Sequence, residues 1–535
     1  MSRSSHHPHH PIIYVRGFAA TQGEIEQTVA DPYMGFNSGS TKARKAWTGE
    51  VQRFYFESPL VRLMGDHKYE DVFVEGDDLL VTDRPDQFIP YRSIIIYRYY
   101  DEASEDFGTG KTPPIEHFAK GLSALILNLR DKICAHKDNE VTQEEFRVYL
   151  VAHSMGGLIC RAFLQNLKLG SDEARKAVDK VFTYATPHNG IDMRIVRNVP
   201  GWVSFGDVNN FNRQRMSDYL AVPKGDDVSL VLSFPPERIF NLVGTNPRDY
   251  AVFGGLSSWA AGDASDGLVR VENATTHGPD ANGNDISSPR AFVHRSHSGF
   301  YGIVNSEEGF QNLTRFLFGK LRVDGHLDVD DITLPIEVQK QFDDVKSVKA
   351  SYHFEIAASI RGYPWQVTRR IVNENSAIFR TYDQLFPGKP GTHRPPDRAM
   401  SPHLFSVFLD PEKSVKASKS VSFAFDVKVL VPDYEVDGVL FLKRHYEGGF
   451  IYRELILVEA FPDPAALSGW RIKYGYQSTN PGKPGISVET SPLNSKAGGA
   501  HESNLPTGIA FEIPIEQSAR PGIKGKLRIE AKSWE

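Results

Sequence analysis

Long apolar runs are missing from this chain. No stretch approaches the roughly 20 consecutive apolar residues that cross a bilayer as a helix, so a transmembrane segment is not expected. Cysteine is scarce too. Cys134 and Cys160 are the only two in 535 residues, which excludes a disulfide framework. Both fall in helical patterns, so buried thiols are expected. Positive charge is not in excess: 61 Lys+Arg stand against 67 Asp+Glu, for a net charge of -6. That balance gives no electrostatic reason to expect nucleic acid or an anionic membrane as partner. Internal repeats are absent, and so are low-complexity tracts beyond the N-terminus. Residues Met1 to Pro11 are rich in Ser, His and Pro with no apolar core after them, which is not a secretory signal. Residues 1–10 are therefore predicted to be a disordered tail, and a cytoplasmic location is the default. The cluster His6, His7, His9 and His10 could bind a metal, but a tag-like tail is the simpler reading.

What the chain does have is length for two or three domains, and one stretch that organises the first. Val148 to Val151 is an apolar run that reaches Ala152-His153-Ser154-Met155-Gly156-Gly157. A helical pattern follows, with Met155, Leu158, Ile159, Ala162 and Phe163 on one face. Strand, sharp turn and helix is the context that makes a G-x-S-x-G signature credible. The turn exposes the hydroxyl, and the residues two before and two after the Ser must be small because strand and helix nearly collide. Here they are Ala152 and Gly156. An ordinary turn serine is the bland alternative, since short motifs match by chance.

At these residues the chain resembles the α/β-hydrolase family, and within it the lipase-like members, some of which carry Ala in place of the first Gly. The resemblance covers roughly residues 11–321. Arg16-Gly17-Phe18, after the predicted strand Ile12 to Val15, stands where many lipases have His-Gly-apolar. Arg for His is a departure, but the oxyanion donor there is a main-chain N–H. The resemblance implies donors at Phe18 and Met155. Thr186-Pro187-His188-Asn189-Gly190 matches a lipase turn, with His188 bracing a loop rather than acting as base, because the family's base comes last in the chain. Asp266-Gly267-Leu268-Val269 matches the pattern around the triad aspartate, with Asp263 as fallback; an Asp-Gly turn is common without any catalytic role. After the last predicted strand, Arg290 to Val293, His297 fits the base better than His294. It lies further past the strand end and precedes a Ser-Gly turn. Asn305 or Ser306 is expected to cap the next helix, with Glu307 and Glu308 in its first turn.

The expected architecture is an α/β-hydrolase domain over 11–325 with a mostly parallel central sheet, followed by a mainly antiparallel, sandwich-like β domain over 330–535. Two insertions, about 19–92 and 191–236, interrupt the first. Long segments of this kind are often lids or walls. In the second insertion Ile195, Val196, Val199, Trp202, Val203, Phe205 and Phe211 look exposed, as a cap over the site or as ordinary connecting helices. The C-terminal part rests on period-two alternation, as in Ser351 to Ile356, Val421 to Val429, Trp470 to Tyr474 and Leu527 to Ala531. Gly448-Gly449 reads as a hairpin turn between two of its runs.

The implied activity is that of a serine carboxylic-ester hydrolase, lipase- or esterase-like. It would act through Ser154, His297 and Asp266 on a small-molecule or lipid ester, without cofactor or metal. An acyltransferase or thioesterase on the same scaffold is one alternative. A non-catalytic binding protein working through the β-rich domain is another. Contact with a lipid interface is compatible with this reading, and oligomeric state is not legible.

Overall fold

The computed structural model describes residues 8–17, 22–45, 48–74, 77–78, 88–191, 209–225, 227–248, 264–299, 301–343, 348–363, 365–389, 394–411, 420–436, 444–465, 470–478, 503–505 and 508–534. The chain divides into two compact units, Met1–Phe318 and Gly319–Glu535.

The first unit is built on seven strands: β1 (Ile12–Val15), β2 (Glu70–Asp71), β3 (Ser93–Ile96), β4 (Val148–His153), β5 (Val178–Tyr184), β6 (Ile239–Gly244) and β7 (Arg290–Val293). They lie in the order β7-β6-β5-β4-β1-β3-β2, and every neighbouring pair is parallel. A parallel sheet is covered on both faces, so its strands read as unbroken apolar runs rather than alternations. Ile-Ile-Tyr-Val in β1 and Ser-Ile-Ile-Ile in β3 are wholly buried for that reason. The crossover helices include α1 (Ile115–Ala135), which starts directly after Pro113-Pro114 as proline's fixed φ favours. Helix α2 (Met155–Gln165) follows β4. Helix α3 (Arg213–Leu220) lies in the second insertion, and α4 (Glu307–Phe318) closes the unit. Phe316 of α4 packs 6.0 Å from Phe182 and 5.3 Å from Phe240, which stack on each other at 5.0 Å.

Several expectations need correcting here. His10 is buried with its ring 2.8 Å from the Tyr91 hydroxyl, and His9 stacks on Phe318 at 4.8 Å. Those two histidines therefore belong to the fold and not to a tail; His6 and His7 lie outside the described residues. Phe211 is buried rather than exposed, and the other apolars named for the cap lie outside the described residues. Cys160 is buried, but Cys134 is only partly so. Among the described residues no helix is long and apolar enough to cross a membrane.

The second unit is two antiparallel sheets. One has the order 403–409, 321–333, 522–533, 508–517, 503–505. The other runs 366–370, 348–360, 421–436, 444–462, 470–478, with 378–381 also paired to 348–360. Residues from both share one core, and Phe405 stacks on Phe425 at 4.6 Å. Val421–Val436 alternates buried and half-buried along most of its length, as period two requires. Gly448-Gly449 is not a turn. The pair sits inside the 19-residue strand Arg444–Pro462, near a register shift at Val429/Leu430. A Cβ on Gly448 would lie 1.9 Å from the Val431 carbonyl oxygen, so the glycine marks a close backbone approach across the sheet.

Candidate active site

Ser154 stands between β4 and α2 with φ +53 and ψ -124. A non-glycine residue there is strained, and the strain turns the side chain out of the sheet plane at the start of the helix. The small residues around it have specific steric causes. A Cβ on Gly156 would lie 2.2 Å from the Val15 carbonyl oxygen and 2.5 Å from that of Arg16. A Cβ on Gly17 would lie 2.6 Å from Ser154 Cβ. The loop after β1 can therefore pass over Ser154 only as glycine.

The Ser154 hydroxyl is 2.9 Å from His297 Nε2. On the other side of the ring, His297 Nδ1 is 2.9 Å from Asp266 Oδ2. Asp266 Oδ1 accepts the main-chain N–H groups of Leu268 at 3.0 Å and Val269 at 2.8 Å. The Asp-Gly-Leu-Val turn thus curls its own backbone onto one carboxylate oxygen and leaves the other for the imidazole. The His297 N–H also donates to the Asp266 carbonyl at 3.0 Å, so the two loops are joined by backbone as well as side chains. All three side chains are buried, at 3, 3 and 1% exposure for Ser154, His297 and Asp266. A carboxylate on Nδ1 directs Nε2 toward the hydroxyl as the proton acceptor.

His294 is exposed at the end of β7, its Nδ1 3.5 Å from Thr245 Oγ1. Asp263 and Phe18 lie outside the described residues. Met155 is buried at the first position of α2, where a helix N–H has no partner within the helix. His188 is buried, with Nε2 3.1 Å from Thr183 Oγ1, and its carbonyl accepts Arg161 Nη1 at 2.9 Å. Burial, with the Arg161 charge second, holds its pKa well below the ordinary histidine value. It stays a neutral brace of the turn.

Other residues near the site went unread in the sequence. His153, inside the elbow motif itself, brings Nε2 within 2.9 Å of the His297 carbonyl oxygen, and the two rings are 4.9 Å apart. Burial first, and the neighbouring His297 second, push its pKa well below the ordinary value. His153 is thus neutral and donates to the loop that carries His297. Arg295 is buried and bonded through Nε and Nη2 to Glu308 at 3.1 and 2.9 Å. Glu307 and Glu308 both stand in the first turn of α4, as expected; Glu308 also anchors the His297 loop to α4, and Glu307 pairs with Arg62. The cap of α4 is Ser306, whose Oγ accepts the Gly309 N–H at 3.0 Å. Arg16, where the resemblance calls for His, donates to the Met34 carbonyl. Asn305 donates to the Gly35 carbonyl at 3.3 Å. Together they tie the 31–37 segment beside the site. Adjacency in sequence could have flagged His153 and Arg295; nothing could have paired Arg16 with Met34.

No family model matches the sequence, and no curated protein does. Among solved structures the chain is similar to the mature form of the Bacillus licheniformis lipase BlEst2. Identity is 14%, covering 58% of this chain and 93% of that one, with a TM-score of 0.30. It is also similar to phospholipase PlaB from Legionella pneumophila, at 12% identity over 82% of this chain and 90% of that one, again with a TM-score of 0.30. A metagenomic carboxyl esterase matches at 14% identity over 50% and 60% of the two chains, with a TM-score of 0.24. At scores this low the likenesses carry no weight for substrate or mechanism. By its parallel sheet, its strand order and its strained strand–turn–helix elbow, the first unit has the α/β-hydrolase fold.

Proposed function

We propose that this chain hydrolyses carboxylic esters with apolar acyl groups through a serine acyl-enzyme. One observation carries the reading: an unbroken hydrogen-bonded line from Asp266 through His297 to a strained Ser154, at 2.9 Å for each step. A serine hydroxyl is a poor nucleophile until a base takes its proton. His297 Nε2 receives that proton as Ser154 Oγ bonds to the acyl carbon. Asp266 holds the Nδ1 proton and stabilises the imidazolium. The carbonyl oxygen becomes an oxyanion, held by the Met155 N–H at the start of α2 and the Phe18 N–H of the loop after β1. Collapse expels the alcohol, which takes the proton from His297. Water, deprotonated by the same imidazole, then attacks the acyl carbon and releases Ser154 and the acid. Every step uses groups of the chain and water.

The acyl preference is supported by the aromatic-rich first insertion, with its run Phe54-Tyr55-Phe56, which suits an apolar acyl group. The test is labelling with a fluorophosphonate probe alongside turnover of a soluble ester. The parent should label and hydrolyse, and Ser154→Ala should do neither. A parent that never labels, or a Ser154→Ala variant that still hydrolyses, would overturn the reading. Running the reaction with added alcohols separates hydrolysis from acyl transfer.

A further inference from the structure

The first insertion contains a two-stranded antiparallel hairpin, Ser40–Lys45 with Val51–Phe56. Its register pairs Thr41 with Tyr55, Ala43 with Arg53 and Lys45 with Val51. Residues directly opposite share a face, so these six line one side. That side faces solvent: Tyr55 is 73% and Val51 55% exposed, and Ala43, Lys45 and Arg53 are exposed too. On the opposite side Ser40 is buried and Phe54 and Phe56 are half-buried, while Gln52, near the turn, is exposed. The outer side carries an aromatic, an aliphatic and two cations, and no acid. Among the described residues neither Lys45 nor Arg53 has an ion-pair partner.

The hairpin starts beside the site. Arg295, two residues before His297, lies with its guanidinium 5.8 Å from the centre of the Phe56 ring. The outer face itself holds two cations, Lys45 and Arg53, and no carboxylate. This local excess is opposite in sign to the chain's net charge of -6. Only charges within about 10 Å act on an approaching surface at ordinary ionic strength, so the patch and not the total decides what this face attracts. Tyr is suited to the headgroup level of a membrane, and Lys and Arg to anionic headgroups.

We infer that the outer face of this hairpin docks the protein on an anionic lipid surface, next to the loop that carries His297. The inference rests on the proposed action on apolar esters, which such a surface would present. A second copy of the chain pairing along the hairpin's open strand edge is the rival occupant. Cations on a two-stranded element discourage that pairing, whereas they favour an anionic surface.

The test is vesicle co-sedimentation of the full chain carrying Ser154→Ala, so that binding is read without turnover. Vesicles are phosphatidylcholine with or without phosphatidylglycerol. The protein should sediment with the anionic vesicles, and less so in high salt. Adding Lys45→Gln and Arg53→Gln should weaken the partitioning about thirty-fold, and Val51→Ser with Tyr55→Ser should weaken it as well. In chains with native Ser154, the same hairpin substitutions should leave turnover of a soluble ester unchanged, which also reports intact folding. Unchanged vesicle binding by both hairpin variants would overturn the inference, as would no binding by the parent. So would a concentration-dependent dimer that disappears with Val51→Ser and Tyr55→Ser. Vesicle binding without any ester hydrolysis would instead strike the proposed activity and leave the docking face standing.

Discussion

His153 sits one residue before the proposed nucleophile and holds the His297 backbone rather than any reacting atom. Its ring is neutral because burial disfavours the charged form. A single hydrogen bond of this kind contributes about 1 kcal/mol. His153→Ala should therefore lower kcat on a soluble ester by about five- to tenfold with KM nearly unchanged. His153→Gln, which keeps an N–H donor, should recover part of the loss. A fall in KM-dependent binding alone would instead place His153 against the substrate. The ascending limb of the pH–rate profile should have unit slope, because a histidine kept neutral adds no second proton in that range.

At the scale of elements, the site depends on two backbone crossings at which no side chain fits. The loop after β1 passes over Ser154, and the first turn of α2 passes under the end of β1. Gly17→Ala puts a methyl 2.6 Å from Ser154 Cβ and 3.0 Å from both His153 Nδ1 and the His153 carbonyl oxygen. Backbone is in the way on one side, so the loop must move. The proposed oxyanion donor on that loop moves with it. Loss of one such donor costs about 100- to 1,000-fold in turnover, and Gly17→Ala should show a loss of that order. Fluorophosphonate labelling should slow in parallel, while the urea midpoint should shift far less than for a core substitution. Retention of full turnover would remove the loop after β1 from the chemistry.

Each of the two units buries apolar side chains of its own among the described residues, so scanning calorimetry should need more than one two-state transition. Acid should destabilise both. In the first unit His153 and His188 have folded pKa values held well below ordinary, and in the second His326 is pushed down to about 3, each by burial above all. Unfolding lets each take up a proton once the pH is below its ordinary value. The unfolded state then binds more protons, and stability falls as pH falls through and below about 6.5. Each contributes a slope approaching about 1.4 kcal/mol per pH unit. His277, between Asp227 and Asp285, has the opposite sign: those carboxylates outweigh its desolvation and raise its pKa. Its contribution is complete below about 6.5 and is lost only as pH rises through the raised value, so it does not offset the acid loss. Melting temperatures measured from pH 7 down to pH 5 should drop for both transitions. A flat profile in that range would mean that these histidines are protonated in the folded state.

How much of this was legible beforehand differs by scale. The parallel sheet announced itself as apolar runs, because strands covered on both faces need no polar residue. The sandwich announced itself as alternation, because each strand there has one covered face. The elbow was legible because its sterics demand small residues at set positions. Gly448-Gly449 misled because glycine permits a turn and a tight strand crossing equally, and only the partner strand decides which. The first-turn place of Glu308 was legible because a helix start favours an acid, but the buried Arg295 that meets it there was not.

The sequence by itself determined the local rules: which runs are strands, where the chain turns sharply, and which residue types stand ready for proton transfer. Only the tertiary structure decided which of them meet. Ser154, Asp266 and His297 are spread over 143 positions of chain, and nothing local to any of them measures the distance to the others. That distance is set by parallel pairing of β4, β5, β6 and β7, which brings the ends of strands remote in sequence to one edge of a single sheet. The bracing by His153 follows from the same cause, since the His297 carbonyl it meets is 144 positions away along the chain and was made its neighbour by the sheet.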